Sequence, residues 1–180
     1  MGRLNPGAAE VAVPSSTLVA LRRAVRKEAG PLATIHALHD AGFVSGDGFF
    51  ESLRQALPVP PGETGEDAFW EALSRVFQAR GWGSLEHQKV HPALGLLVSS
   101  DWAEADPDGE ESQPGCAFTA GFLAHVLTRV ADGAVAVLEV GCRSRGDMEC
   151  RFLFGSEAAI HEIYGLLLEG HELDAALSEL

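Results

Sequence analysis

The spacing of apolar residues changes character near Trp82, and that change confines the chain to one class of fold. Before it, apolar residues recur at helical intervals: Leu18, Leu21 and Val25; Leu32, Ile35 and Leu38; Phe50, Leu53 and Leu57; Phe69, Leu73, Val76 and Phe77. After it the apolar runs shorten to strand length. Two lie between Trp82 and Ser100, broken near Pro92, and two more (134–143 and 147–154) are joined at Ser144-Arg145-Gly146. One helix, Cys116 to Val130, separates the pairs, with Ala120, Leu123 and Leu127 on one face. Its small residues Ala117, Gly121 and Ala124 permit close approach of a neighbour. Helices over about 156–169 and 172–179 finish the chain. Helices first, then a small antiparallel sheet with helices packed on it, is an α+β domain.

Punctuation sets the expected boundaries. Ser16 or Thr17 caps the first helix and Gly30 stops it; Pro31 opens a second that ends at Gly42. A third begins near Asp47 and stops at Pro58. Thr64 with Asp67 resembles a capping box for a fourth, which Gly81 closes. Residues 1–15 carry no periodicity and read as a flexible arm, leaving 16–180 as a single domain of ordinary size.

Composition removes whole classes of function. Thirteen Lys and Arg against 26 Asp and Glu give a net charge of −13, a surface that repels phosphate backbones, so no nucleic acid is expected as a partner. Three cysteines cannot form a fully paired disulfide framework, and the N-terminus lacks a basic start followed by an apolar run. The longest stretch free of Asp, Glu, Lys and Arg, Ser112 to Thr128, has 17 residues and contains His125, so no membrane span is expected. The expected location is cytoplasmic. With no nucleotide-binding loop or DNA-binding helix pair before Leu180, output would pass through a protein partner.

Familiar catalytic and metal patterns fail one by one. Glu104, Asp106, Asp108 and Gly109 imitate a calcium loop, but its twelfth position is Gly115 and Pro107 intrudes. The six carboxylates from Asp101 to Glu111 therefore read as a solvated loop. His161-Glu162 and His171-Glu172 lack the second histidine of a zinc protease, and neither a Gly-Lys-Ser/Thr loop nor a Gly-x-Ser-x-Gly elbow is present. His36 and His39 read as ordinary edge and surface residues. Arg22, Arg23, Arg26 and Lys27 read as the wet face of their helix. No hydrolytic machinery remains, and the chain reads as a binding protein rather than an enzyme.

The cysteines carry the remaining chemistry. Cys142 and Cys150 bracket a hairpin, and Cys116 at the start of the preceding helix can reach the same place. Glu139 lies three residues before Cys142, on the opposite face by ordinary alternation, unless Gly141 supplies a bulge that brings both to one side. Three thiolates and a carboxylate suit a four-coordinate Zn²⁺ with no open position, which is a structural site. Two other readings stay open on spacing alone: small core cysteines, or a Cys142–Cys150 disulfide that leaves Cys116 free.

The arrangement Cys116, then Glu139-x-x-Cys142-x-x-x-Gly146-x-x-x-Cys150, resembles the 4-vinyl reductase domain family, which includes the N-terminal sensors of bacterial phenol and toluene regulators. Weaker similarity covers Leu21–Gly48, Phe77–Leu85 and Ser99–Ala105. The resemblance implies that Cys116, Glu139, Cys142 and Cys150 are zinc ligands. It also implies a fold like haem-NO-binding and vesicle-tethering subunits, a homodimer, and a small apolar or aromatic ligand beside the metal. Trp82, Leu97, Phe118, Phe122, Val137 and Phe152 would line that pocket. The His and Trp that bind a phenol hydroxyl in those sensors match Gly83 and Leu97 in this chain, with Trp82 and Trp102 close by, a departure that argues against phenol itself. The leading expectation is a stand-alone sensor or carrier with structural zinc. The alternatives are an accessory protein or reductase of vinyl-tetrapyrrole metabolism, and a scaffold without ligand.

Overall fold

A computed structural model describes residues 11–109 and 111–180. Among the described residues, six α-helices and four strands follow one another as α1 (Ser15–Ala29), α2 (Pro31–Ala56), α3 (Glu66–Gln78), β1 (Glu86–His91), β2 (Leu94–Ser99), α4 (Ala117–Ala131), β3 (Ala136–Gly141), β4 (Cys150–Gly155), α5 (Glu157–Leu168) and α6 (Leu173–Glu179). The strands make one antiparallel sheet in the order β1-β2-β4-β3. The fold is α+β, as the change of period at Trp82 requires. Residues 1–10, most of the expected arm, lie outside the described residues.

The two central strands are buried on both faces, which explains why β2 reads as an unbroken apolar run. Leu97 and Phe152, opposite each other in the register, point to a core shared with α2, α3 and α4, where Phe49, Phe77 and Phe122 meet. Leu96 and Leu153 point the other way, onto Ile160 and Ile163 of α5 and Ala176 of α6. Each fully buried Leu or Phe contributes about 1.5–3 kcal/mol of burial free energy. The sheet is thus the middle of three layers.

Several expected details are corrected. Residues 31–56 form one 26-residue helix where two were expected, running through Gly42, Gly46 and Gly48. The helix tolerates these glycines because packing requires two of them. A Cβ at Gly42 would fall 2.0 Å from the Phe118 carbonyl oxygen, and one at Gly46 would fall 2.6 Å from the His125 ring. From the other side, a Cβ at Gly121 of α4 would sit 1.9 Å from the His39 carbonyl oxygen. The two backbones touch, and no side chain fits between them. Farther along, His125 Nε2 (3.1 Å) and Arg129 Nη1 (2.6 Å) both reach Asp47 Oδ1 across the pair.

Two capping signals in the sequence do not act as caps. Pro14 precedes α1, with no side-chain cap from Ser16 or Thr17. Gly65 precedes α3, and the Thr64 hydroxyl donates backward to the Pro60 carbonyl (3.1 Å) instead of serving a capping box. The inward stripes of the first helices are also corrected. Leu21 and Leu32 are exposed, while Arg22 and Thr34 are buried.

Gly121→Ala should therefore lower stability by about 1–3 kcal/mol through overpacking, read as a fall of roughly 2–12 °C in thermal unfolding. Gly165 of α5 meets nothing within 4 Å. Gly165→Ala should be neutral or stabilising by up to about 1 kcal/mol, since only helix propensity changes.

Candidate functional site

The most concentrated chemistry lies where α4 begins and the β3–β4 hairpin closes. Ordinary alternation would turn Glu139 and Cys142 to opposite faces, but the β3–β4 register slips there: Glu139 pairs with Phe152 and Gly141 with Arg151, leaving Val140 as an extra residue. The bulge puts the Glu139 carboxylate and the Cys142 thiol on one side. Cys150 arrives at the start of β4, and Cys116 occupies the N-cap position of α4. One donor atom from each of the four lies within 4.8 Å of all the others. The Cys116 sulfur is 3.9 Å from both Cys142 Sγ and Cys150 Sγ. All three cysteines are free and fully buried, and no disulfide joins Cys142 to Cys150.

Backbone amides fix this set from outside. The Cys116 N–H donates to Glu139 Oε2 (2.7 Å), the Gly115 N–H to Cys142 Sγ (3.2 Å), and the Cys142 N–H to Asp147 Oδ2 (2.7 Å). Glu139 Oε1 is buried with no hydrogen-bond partner, a lone-pair donor held at the cluster without a counterpart. The charges are mutually unfavourable. Contacts with Cys142 and Cys150 together with burial push the Cys116 thiol well up, and burial followed by the Cys142 charge does the same to the Glu139 carboxyl. For Cys150 the contact with Cys116 acts downward, but contact with Cys142 and burial outweigh it, and the thiol is raised. Cys142 alone is driven down, by the neighbouring thiols of Cys116 and Cys150. Four such groups ionise together only around a cation. The donor set could hold a metal ion, and its soft sulfurs select thiophilic ones.

Around the cluster the acidic loop is an organised element, which corrects the expectation that it is merely solvated. Glu104 is buried and caps α4 from a distance, accepting the N–H groups of Phe118 (3.1 Å) and Thr119 (2.8 Å) and the Thr119 hydroxyl. Thr119 Oγ1 in turn accepts the Trp102 indole N–H at 2.7 Å. Ser144 in the hairpin turn, fully buried, accepts the Asp106 N–H on its hydroxyl (2.8 Å) and the Glu111 N–H on its carbonyl (3.2 Å). The basic cluster of α1 is a wet face only at Arg23 and Lys27. Arg22 is buried and donates through Nη1 to the carbonyls of Gly115 (2.6 Å) and Glu104 (3.2 Å), while Arg23 pairs with Asp106 and Arg26 with Glu111. The first helix is thereby latched onto the segment that leads into Cys116.

The six residues expected to line a ligand pocket belong to one core. Leu97, Phe122 and Phe152 are buried in the α-helical side of the core, with Trp82, Phe118 and Val137 half-buried against it. Among them the Trp82 and Phe118 rings lie parallel at 5.9 Å, and Trp82 tilts against Trp102 at 5.9 Å. Position 83 offers no replacement for a histidine, because φ is +109° and a Cβ there would meet the Asp101 carbonyl at 2.8 Å. An apolar cleft of about 330 Å³ opens at the far end of the same layer, between Phe69 and Trp70 of α3, Leu127 and Val130 of α4, Val135, and Phe154 of β4. In the sequence its lining is inconspicuous, because Trp70 and Phe154 look like ordinary core aromatics. Glu104 and Arg22 are equally inconspicuous, because one carboxylate among six and one arginine among four carry no local mark of burial.

Among known proteins, residues 104–156 match the family model of the 4-vinyl reductase domain. In three dimensions the chain is similar to the phenol-responsive sensory domain of the transcription activator PoxR, solved with phenol (TM-score 0.68, 17% identity, 93% of this chain and 81% of that one). It is also similar to a vinyl-4-reductase family protein from Methanocaldococcus jannaschii (TM-score 0.52, 21% identity, 82% and 83%). A third similar structure is trafficking protein particle complex subunit 3 from Naegleria fowleri, covalently bound to palmitic acid (TM-score 0.63, 13% identity, 78% and 91%). No curated protein matches the sequence. No helix among the described residues is long and apolar enough to cross a membrane.

Burial raises the Glu104 carboxyl to about 7, above its ordinary 4.5, despite the opposing hydrogen bonds from Thr119 and Phe118. Between those two values the unfolded chain has lost this proton and the folded chain still holds it, so stability falls as pH rises. Unfolding titrations from pH 5 to pH 8 should show that fall in the wild type, and Glu104→Gln should flatten it.

Proposed function

We propose, for a chain whose residues 104–156 match the 4-vinyl reductase domain, a small-molecule-binding sensor or carrier domain held together by a structural Zn²⁺. The convergence of Cys116, Glu139, Cys142 and Cys150 carries this reading. Two sulfurs each 2.3 Å from a tetrahedral zinc stand about 3.8 Å apart, and the Cys116 sulfur keeps 3.9 Å from its two neighbours. Glu139 Oε1, buried and unpartnered, is the fourth donor. When bound, the ion compensates charge and cross-links α4 to the hairpin; with four protein ligands it leaves no site for activated water. The residues of the chain do the rest. Gly115 and Cys116 amides orient the donors, Asp147 fixes the Cys142 backbone, and Arg22 ties α1 to the approach.

The ligand class follows from the walls. The similar structures hold phenol in one case and palmitic acid in another, and the cleft bounded by Trp70, Leu127, Val130 and Phe154 is apolar and near the lower end of the size range of ligand sites. A small aromatic or aliphatic molecule fits it. The protein acts as a cytoplasmic homodimer that passes the binding event to a protein partner. A second reading, a scaffold without ligand, draws on the packed cluster around Trp82 and Phe118.

Native mass spectrometry with elemental analysis should find one zinc per chain. Cys150→Ala should lose the metal and unfold roughly 10 °C or more lower, because metal binding is folding free energy; an unchanged melting temperature would show that the site is not structural. Naphthalene fluorescence should report binding to the wild type. Val130→Trp, which fills the cleft, should weaken it at least tenfold while leaving zinc content intact. Binding that survives this change would move the ligand elsewhere, and absence of any binding would favour the scaffold.

A further inference from the structure

We infer that the open edge of β3 is a docking slot for one extended peptide of a partner protein, apolar and basic in alternation. The sheet order leaves two edges, β1 and β3, and they are treated differently. Strand β1 reads Glu-His-Gln-Lys-Val-His, with Lys89 engaged by Glu66 at 2.7 Å and an irregular register between Lys89 and His91. Charge and irregularity of that kind are how proteins keep an edge from pairing. Strand β3 reads Ala-Val-Leu-Glu-Val-Gly, with no proline or basic residue, and its one charge, Glu139, turns inward to the metal cluster. Its bulge comes only near the end, after four regular residues.

A groove of about 730 Å³ straddles this edge. Ser112–Pro114 form one wall, and Tyr164, Leu167 and Leu168 of α5 with Leu173 of α6 form the other. Large apolar side chains are exposed along it, Met148 at 88% and Leu168 at 69%. An exposed, flat, apolar edge is a template for a further strand.

The shape and charge of the slot select its occupant. A second copy of this chain would bring a like net charge of −13, together with the bulk of the helices that flank its own edge strand. A single extended segment has no such bulk. The regular stretch 136–139 spans about 13 Å, room for four extended residues, and beyond it the Val140 carbonyl already accepts from Arg145 Nη2 at 3.3 Å. Apart from the inward-turned Glu139, the groove has three carboxylates (Asp147, Glu149 and Glu172) against two guanidinium groups (Arg145 and Arg151), with Arg145 already paired to Asp147 at 2.7 Å. That surplus of negative charge, on a chain of net charge −13, favours Lys or Arg in the incoming strand.

The slot itself stands on the edge and the groove; its use as an output rests on the sensor reading. Both the wall residues Ser112–Pro114 and the lining residue Glu139 belong to the surroundings of the metal cluster, so a change there reaches the slot directly.

The test uses the full chain and a fluorescein-labelled Lys-Val-Lys-Val-Lys-Val peptide, followed by anisotropy and by amide NMR. The peptide should bind and shift the amides of 136–141. N-methylating alternate peptide amides should weaken binding at least tenfold, and the exposed double change Met148→Lys with Leu168→Lys at least fivefold. No binding, equal binding of the N-methylated peptide, shifts confined to other elements, or displacement of the peptide as the chain self-associates would each overturn the slot. Zinc content and naphthalene binding measured on the same sample separate the two ideas. A chain that holds both but ignores the peptide loses the slot and keeps the sensor reading. A chain that takes the peptide but neither zinc nor naphthalene keeps the slot and loses the sensor.

Discussion

Backbone contact between α2 and α4 sets the position of nearly everything else. Gly42 and Gly121 bring the two helices so close that a methyl group on either would overlap a carbonyl oxygen of the other. That seat fixes where α4 begins, and its first residues join two clusters: Cys116 meets the other cysteines and Glu139, while Phe118 and Thr119 supply the amides that receive Glu104. The far face of α4 then meets Leu97 and Phe152 on the sheet, so the sheet is positioned by the same helix. A small-residue contact of this kind gains little from hydrophobic burial. Its value is geometric, because it removes the freedom of side chains to repack and leaves one solution for the helix pair.

The second organising element is polar. The approach to Cys116 is a stretch of irregular chain that must stay in place without ladder hydrogen bonds. It does so through Arg22, Arg23 and Arg26 on one side and Ser144 on the other, with Glu104 closing over the helix start. Exposed pairs such as Arg23–Asp106 are individually worth only about 0–1 kcal/mol. Arg22 is different, because it is buried and bonded to two carbonyls, and two of its nitrogens lack a protein partner. Its two carbonyl bonds anchor the first helix, at the cost of the two nitrogens left unpaired.

Much of the architecture is legible in the sequence because it rests on period. The strand runs, the α4 helix and the stripe of Phe69, Leu73, Val76 and Phe77 stand in the structure where the periodicity puts them. The donor set is legible too, since cysteine is rare here and Gly141 offers a reason for a bulge. What stays hidden depends on contacts far apart in sequence. Glycine normally punctuates a helix, so a continuous α2 is intelligible only once α4 lies against Gly42 and Gly46. Capping signals at Ser16 and Thr64 are local patterns that local geometry overrides. Burial of Glu104 and Arg22 is decided by partners 15 and 93 residues away, which no window of sequence contains. The cleft between Trp70 and Phe154 is a matter of volume, and composition does not report volume.

The extra residue at Val140 has a consequence for reading other chains. A strand has parity: residues an even number of steps apart share a face, and those an odd number apart do not. Glu139 and Cys142 are three steps apart and still meet, because the bulge changes the parity between them. Register and donor set are therefore one variable. A chain that straightened this strand would have to lose or gain one residue between the carboxylate and the thiol to keep both facing inward. Conversely, an unaltered Glu-x-x-Cys interval at the end of such a strand announces the bulge by its spacing alone.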